Sequence, residues 1–452
     1  MKQKNSIIGG ATCLGVGTFI SKLMGAIYRV PLTALIGSSG LGLYQMVFPV
    51  YATLLDFSGA GVPSALSKLI ASSNSDKHEQ AYYYLKTSII IFLFLGVIIS
   101  LLMASFSNKI SFLQGDIRAQ KAYLFLSPAI FLVSLLSCFR GYFQGLMLMK
   151  PTAISQIIEQ SVKLSFGLIL AHLLRANLAL SVAGATLAIS FSELVALLVI
   201  FLTYLSYKKK NNLCYNFSKK LFIPYAKNLI KTTLPVTLIG IAIPFSQVID
   251  SFVIINILNS YRQDATSLYG LFSGVVMTII NLPVSLCYGI AMVAIPAVSG
   301  AKTDKEKQKN SIRTILLTVC IAFPCAVAIT LFGNPVVSIL FGRLGILEKQ
   351  TAVKLLKITS ICVILSSLAQ TTNAILIAKG KAYNSVLSLS MGILTKTIIN
   401  IVLVKNPQIN VYGGAIGLIA CYFVVCLINL VMIFKFGVIN EGKRTCHREY
   451  AS

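Results

Sequence analysis

Charged side chains are scarce in this sequence of 452 residues: they make up 12% of it, against 56% hydrophobic residues. A soluble domain must cover its surface with polar groups, and about 25% of its residues are usually charged. The composition therefore excludes a soluble protein and predicts a polytopic membrane protein. Acids are the scarcest charged type, with 13 Asp and Glu against 39 Lys and Arg.

Cysteine pairs at metal-binding spacing and histidine clusters are also missing. None of the ten cysteines forms a Cys-x-x-Cys motif, and the three histidines, His78, His172 and His447, are dispersed. Eight of the cysteines fall within apolar segments, where a thiol normally acts as a small packing residue. We therefore expect neither disulfides nor a bound cofactor.

Long apolar runs are what the sequence has in abundance. A helix needs about 20 residues to cross the hydrocarbon of a bilayer. Twelve runs fit this length, so we predict an all-α protein with twelve transmembrane helices. Their predicted bounds are 7–36, 41–67, 87–106, 122–148, 152–172, 178–207, 231–258, 267–299, 312–341, 355–378, 382–404 and 411–435.

The distribution of positive charge predicts the orientation of these helices. With the N-terminus inside, and with Lys and Arg in the first or last three residues of a span counted with the adjoining loop, cytoplasmic segments hold 24 of them, outer segments hold 10, and 5 lie deeper within spans. This asymmetry satisfies the positive-inside rule and places both termini in the cytoplasm. The net charge of +26 therefore reflects membrane topology, and we expect no nucleic-acid partner.

The largest gap in hydropathy divides the chain into two halves. We predict an N-lobe at 1–206 with helices 1 to 6, a basic cytoplasmic linker at 207–228, a C-lobe at 229–435 with helices 7 to 12, and a tail at 436–452. Lys163 and Lys396 occupy matching positions in helices 5 and 11, and further weak matches recur at nearly the same offset. We interpret this as a six-helix unit used twice, in two pseudo-symmetric lobes with the substrate between them.

Polar residues concentrate between Leu136 and Lys163, inside segments otherwise suited to lipid. Arg140 and Gln144 lie one turn apart on one helix face, as do Glu159 and Lys163. Lys150-Pro151 ends one helix and begins the next, because proline is tolerated in a first turn. The pattern predicts a helical hairpin with a polar inner seam, in which Glu159 neutralises Lys163.

Charges within the membrane normally face a bundle interior and mark a path for a substrate or an ion. Five such cations are present, and most lie in the N-terminal half, so that lobe is predicted to attract an anion. A diphosphate needs several donors, which arginine and lysine supply. The predicted substrate-binding residues are the phosphate candidates Lys22, Arg29 and Arg140, the sugar-facing Gln144 and Gln156, and Glu159 and Lys163 as a structural or gating pair.

Several segments together resemble a known family. SKLMGAIYRVPL, FRGYFQGLMLMKPTAISQIIEQSVK and IDSFVI are similar to the stage V sporulation protein B group. That group is a branch of the multidrug/oligosaccharidyl-lipid/polysaccharide (MOP) exporter superfamily, which also contains the MurJ-type lipid II flippases. The similarity continues in order to about residue 435.

The resemblance implies two lobes in a V that alternate access and flip a polyprenyl-diphosphate-linked sugar to the outer leaflet of a bacterial cell membrane. MurJ-type proteins carry S-R-x-x-G-x-x-R in helix 1; Ser21, Lys22 and Gly25 match its start, and Arg29 falls one residue late. Asp250 lies where some members bind sodium, which implies an ion-coupling site there. The group usually has fourteen spans, two more than predicted here.

Three functions remain open at this stage. The first is a monomeric flippase for an anionic lipid-linked glycan precursor of the cell wall or the surface, with sodium or proton coupling and only the substrate and membrane lipids as partners. The second is a cation-coupled multidrug exporter of the same superfamily, against which the basic N-lobe counts. The third is a membrane-embedded glycan polymerase or ligase; short outer loops and dispersed histidines count against this enzyme.

Overall fold

The computed structural model describes residues 2–72, 77–213, 215, 219–301 and 303–449, without some of the side chains in these ranges. All regular elements in these ranges are helical, as predicted. The α-helices are α1 (Lys2–Leu55), α2 (Val62–Ala71), α3 (Lys77–Ser105), α4 (Ser107–Leu113), α5 (Gln120–Gly145), α6 (Met149–Leu173), α7 (Leu178–Lys210), α8 (Lys219–Asn259), α9 (Ala265–Tyr269), α10 (Met277–Ser299), α11 (Asp304–Leu340), α12 (Ile346–Thr359), α13 (Ile361–Ala378), α14 (Ala382–Val404) and α15 (Tyr412–Glu449).

Helix α1 contains two helical stretches separated by a break at Gly37. The backbone of Gly37 has φ 65° and ψ −174°, a conformation that glycine adopts far more readily than other residues. The break lies between the predicted spans 7–36 and 41–67. After α1 the chain forms a π-helical turn at Asp56–Ala60 before α2 begins. Such turns are rare and often occur at functional sites.

Ten helical segments of the described chain are long and apolar enough to cross a membrane. Two differences account for the lower number. The end of the predicted first span and the whole predicted second span lie in one segment, Leu23–Ala71, and the predicted fifth span, 152–172, lies in the polar helix α6, which is not among the ten. The full count of twelve stays a prediction.

The chain divides into two compact units, Met1–Phe252 and Val253–Ser452. In the first unit, α5 packs against α2, α3 and α7. The core between these helices is built mainly from aliphatic and tyrosine side chains, including Leu66, Leu85, Leu136, Tyr142, Ile200 and Tyr204. The second unit packs α14 on α15 and α13 on α10, α11 and α15. The predicted lobe boundary around 207–228 stays a prediction.

The predicted hairpin is present as α5 and α6. Helix α5 ends at Gly145, Met147 turns the chain with φ 62°, and α6 begins at Met149 with Pro151 in its first turn. Helix α5 lies very close to α2. A Cβ added at Gly145 would come within 2.6 Å of Ile70 Cβ. At Gly141 the corresponding distance to Leu66 Cβ is 2.9 Å. The two glycines, four residues apart in α5, therefore allow α5 and α2 to pack closely.

Candidate substrate-binding site

An ion pair joins the two helices of the hairpin. The guanidinium Nη2 of Arg140 on α5 lies 2.8 Å from Oε2 of Glu159 on α6, and its Nε donates a hydrogen bond of 3.0 Å to the hydroxyl of Ser155. The two charged side chains are only 13% and 14% exposed. The polar seam predicted between α5 and α6 is therefore confirmed, with Arg140 as its centre.

Lys163 has a different neighbour from the one predicted. Its Nζ lies 5.7 Å from the ring centroid of Tyr28 and 5.8 Å from that of Phe48, both on α1. The predicted ion pair between Glu159 and Lys163 is wrong, because Arg140 reaches across the hairpin and takes the carboxylate. Aromatic faces attract a cation without neutralising it. The rings of Tyr28 and Phe48 therefore occupy the place beside Lys163 that was predicted for the Glu159 carboxylate.

Arg29 lies on the same part of α1 as Tyr28. Its side chain is partly buried, and Tyr44, beyond the break at Gly37, is among the groups that act on it electrostatically. Both stretches of α1 thus contribute to the surroundings of Arg29 and Lys163. The side chain of Lys22 lies outside the described part of the structure, so its predicted role stays a prediction.

The two glutamines proposed for sugar binding lie at different positions in the hairpin. Gln156 on α6 accepts a hydrogen bond of 3.2 Å from the hydroxyl of Thr18 on α1. Gln144 is partly buried in the last turn of α5. Binding of a sugar by either residue stays a prediction.

Four neighbours of the charged residues were missed in the sequence. Ser155 accepts from Arg140, Gln160 donates to Glu159 Oε1 at 2.7 Å, and Tyr28 and Phe48 face Lys163. Ser155 could have been found, since it lies four residues before Glu159 on the same helix face. The two rings could not, because their proximity depends on how α1 packs on α6.

The predicted ion-coupling residue Asp250 is buried in α8, within the first unit. The neighbouring Ser251 hydroxyl accepts a hydrogen bond of 2.8 Å from Gln114 Nε2. No group of three or more His, Cys, Asp or Glu side chains that could hold a metal ion occurs among the described residues. A sodium ion at Asp250 stays a prediction.

The helical fold, the membrane-spanning segments and the charged hairpin together define a polytopic membrane transporter. The fold is similar to a solved structure, an inward-facing multidrug resistance MATE family transporter of the MOP superfamily. The TM-score is 0.81 at 16% identity, over 96% of this chain and 99% of that chain. The predicted MOP-type fold is therefore confirmed.

The chain belongs to the polysaccharide biosynthesis protein family, whose model matches residues 7–302. Stage V sporulation protein B of Bacillus subtilis (strain 168) is 26% identical over 451 residues, which cover 96% of this chain and 84% of that protein. Lipid II flippase MurJ of the same strain is also 26% identical, over 95% of this chain and 83% of that protein. These matches confirm the resemblance found in the sequence.

The family and the fold establish what kind of protein this is. It is a multi-pass protein of the bacterial cell membrane and a flippase or exporter of the MOP superfamily, not an enzyme. This excludes the alternative of a glycan polymerase or ligase. The choice between a lipid-linked glycan and a drug as substrate depends on the chemistry of the charged hairpin.

Proposed function

We propose that this protein flips a polyprenyl-diphosphate-linked sugar precursor to the outer leaflet by alternating access. The observation that carries the proposal is the cluster formed by Arg140, Glu159 and Lys163 within the membrane, with Arg29 on the adjoining helix. Arg140 and Lys163 are two cations, whereas Glu159 is the one carboxylate of this cluster. A diphosphate is the part of such a substrate that requires cationic donors, because it must cross a medium that offers no water.

The Arg140–Glu159 pair is suited to bind and release an anion. A phosphate oxygen presents the same acceptor geometry to a guanidinium as a carboxylate does, so it can replace Glu159 on Arg140. Lys163 lies four residues after Glu159 on the same face of α6 and is available to the released carboxylate. Substrate binding would thus exchange one ion pair for two, without leaving a buried carboxylate unpaired.

The name of one relative supports the same substrate class, because that relative is a lipid II flippase. A multidrug exporter that accepts organic cations would instead need acids and aromatic faces exposed to its substrate. Here Glu159 is occupied by Arg140, and the aromatic faces of Tyr28 and Phe48 are covered by Lys163.

The proposal is tested by complementation of a bacterium depleted of its lipid II flippase. We expect the wild-type chain to rescue growth, and Arg140→Ala and Lys22→Ala to reduce the rescue strongly. Loss of one charged hydrogen-bond donor weakens binding by about 1.5–3 kcal/mol, or roughly tenfold or more. Arg175→Ala is the matched control, because Arg175 is an exposed arginine beyond the end of α6.

Membrane levels of each variant should be compared by immunoblotting. If Arg140→Ala and Lys22→Ala rescue as well as the wild type at equal levels, the cationic substrate site is wrong. If the wild type itself does not rescue, a lipid II-like substrate is ruled out for this chain in that host.

A further inference from the structure

Glu193 is a buried acid that the proposed transport step does not use. It lies on α7, its residue exposure is 6%, and its Oε2 atom has no hydrogen-bond partner. No ion pair of Glu193 occurs among the described residues. Buried polar atoms are nearly always hydrogen-bonded, so an unpartnered carboxyl oxygen requires an explanation.

Helices α6, α5 and α1, which pack on α7, provide the surroundings of Glu193. The charged groups that act on it are Glu159, Arg140 and Lys163, from α6 and α5. Tyr51 on α1 interacts electrostatically, through its hydroxyl group, with both Glu193 and Glu159. Glu193 therefore belongs to the same electrostatic cluster as the hairpin ion pair.

The cluster supplies an ion pair and hydrogen-bond donors at close range to only one of its two carboxyl groups. Glu159 has Arg140 at 2.8 Å and the amide of Gln160 at 2.7 Å. An ionised Glu193 would have a second negative charge nearby and no donor for its buried oxygen. Two carboxylates that share a low-dielectric site do not both ionise readily, and the one with fewer donors keeps the proton.

We propose that Glu193 is a proton-binding site, and that its proton controls the attraction of the hairpin cluster for an anion. With Glu193 neutral, the ion pair cancels and Lys163 leaves the cluster positively charged. Ionisation of Glu193 would cancel the charge of Lys163. Uptake of a proton at α7 therefore favours an anionic ligand at Arg140, and this second part of the inference rests on the proposed function.

The proton itself can be detected without any substrate. Infrared difference spectra of the reconstituted protein, recorded while the pH is raised, should show the loss of a carbonyl band from a protonated carboxylic acid. The band should shift in heavy water and be missing in Glu193→Gln. Glu79→Gln is the matched control, since it removes an exposed carboxyl at the start of α3 and should keep the band.

The infrared result decides the first part of the inference. If no such band is removed by Glu193→Gln, the proton site is wrong. Glutamine reproduces the size and the neutral charge of a protonated glutamic acid. A Glu193→Gln protein that fails to fold would therefore also contradict the proposal, because it would indicate that an ionised carboxylate is needed there.

The control of anion binding is tested with inorganic pyrophosphate as the probe. The affinity of the wild type for pyrophosphate, divided by that of Glu193→Gln, should fall roughly fivefold or more as the pH is raised. The reason is that only the wild type has a proton to lose at position 193. A ratio that does not change with pH contradicts this control. If neither protein binds pyrophosphate while the infrared band is present, the proposed anion site fails and the proton site stands.

Discussion

The exposure of Arg140 and Glu159 determines what their ion pair contributes to stability. Both side chains are mostly withdrawn from solvent, with exposures of 13% and 14%. For such a pair, loss of one partner is costly because it leaves the other charge buried and unpaired. Replacement of both partners by apolar side chains is often neutral, because the desolvation cost disappears with the charges. The pair is therefore a functional feature more than a source of stability.

This argument predicts opposite results for single and double substitutions. Glu159→Gln should lower the free energy of unfolding by about 3 kcal/mol, because Arg140 remains charged without its carboxylate. The double variant Arg140→Met with Glu159→Met should recover most of that loss and be inactive in the complementation assay. Thermal unfolding in detergent, followed with a thiol-reactive dye on the buried cysteines, measures the stability.

A matched substitution distinguishes the loss of this ion pair from the loss of an ordinary surface charge. Glu306→Gln removes an exposed carboxyl in the first turn of α11 and should change stability much less. If Glu159→Gln were as stable as Glu306→Gln, Arg140 would have another source of compensation, and the exchange of partners on substrate binding would lose its basis.

The hairpin of helices α5 and α6 was predicted well from residues close to the turn between them. Proline in a first turn acts through neighbouring residues, so the turn before α6 could be foreseen. The partner of Glu159 could not. A lysine at i+4 is visible in the sequence, whereas the reach of Arg140 from the facing helix depends on how two helices pack.

The aromatic neighbours of Lys163 could not be predicted for the same reason, because they depend on how helices pack. Tyr28 and Phe48 are distant from it in sequence and lie on either side of the break at Gly37. The glycine at the break permits its backbone conformation, but the sequence does not show which residues the break places against α6. The charged residues of the site were therefore predictable, and their pairing was not.

Because α5 lies so close to α2, we expect one methyl group added at Gly145 to reduce stability. Gly145→Ala would place a Cβ 2.6 Å from Ile70 Cβ and 2.9 Å from its Cγ2, so one helix must move. Such overpacking typically costs about 1–3 kcal/mol. We expect a lower unfolding midpoint in detergent and weaker rescue in the complementation assay, because α5 carries Arg140.

Gly289→Ala is the control for this substitution. Gly289 lies within α10, and an added Cβ there would have no atom within 4 Å. Alanine favours a helix over glycine by up to about 1 kcal/mol, so this variant should be unchanged or slightly more stable. Equal stability of the Gly145→Ala and Gly289→Ala proteins would show that α2 and α5 are not closely packed in the membrane.

For the whole molecule, orientation in the membrane decides on which side the substrate enters. Positive charge is concentrated in the segments predicted to be cytoplasmic, and the end of α7 carries Lys208, Lys209 and Lys210. Basic residues are retained on the cytoplasmic side during insertion. The connection after α7 should therefore face the cytoplasm, and the connection between α14 and α15 should face outward, which directs a lipid-linked precursor from the inner to the outer leaflet.

Two introduced cysteines test this orientation in a chain whose ten native cysteines have been replaced. Asn211→Cys follows α7 and Gln408→Cys lies between α14 and α15, and both positions are exposed. A membrane-impermeant thiol reagent should label Gln408→Cys in intact cells and Asn211→Cys only after permeabilisation. The reverse pattern would place the lysine-rich end of α7 outside. An inner-to-outer flippase would then be untenable, because the helices would be inverted relative to the membrane face on which its precursor is made.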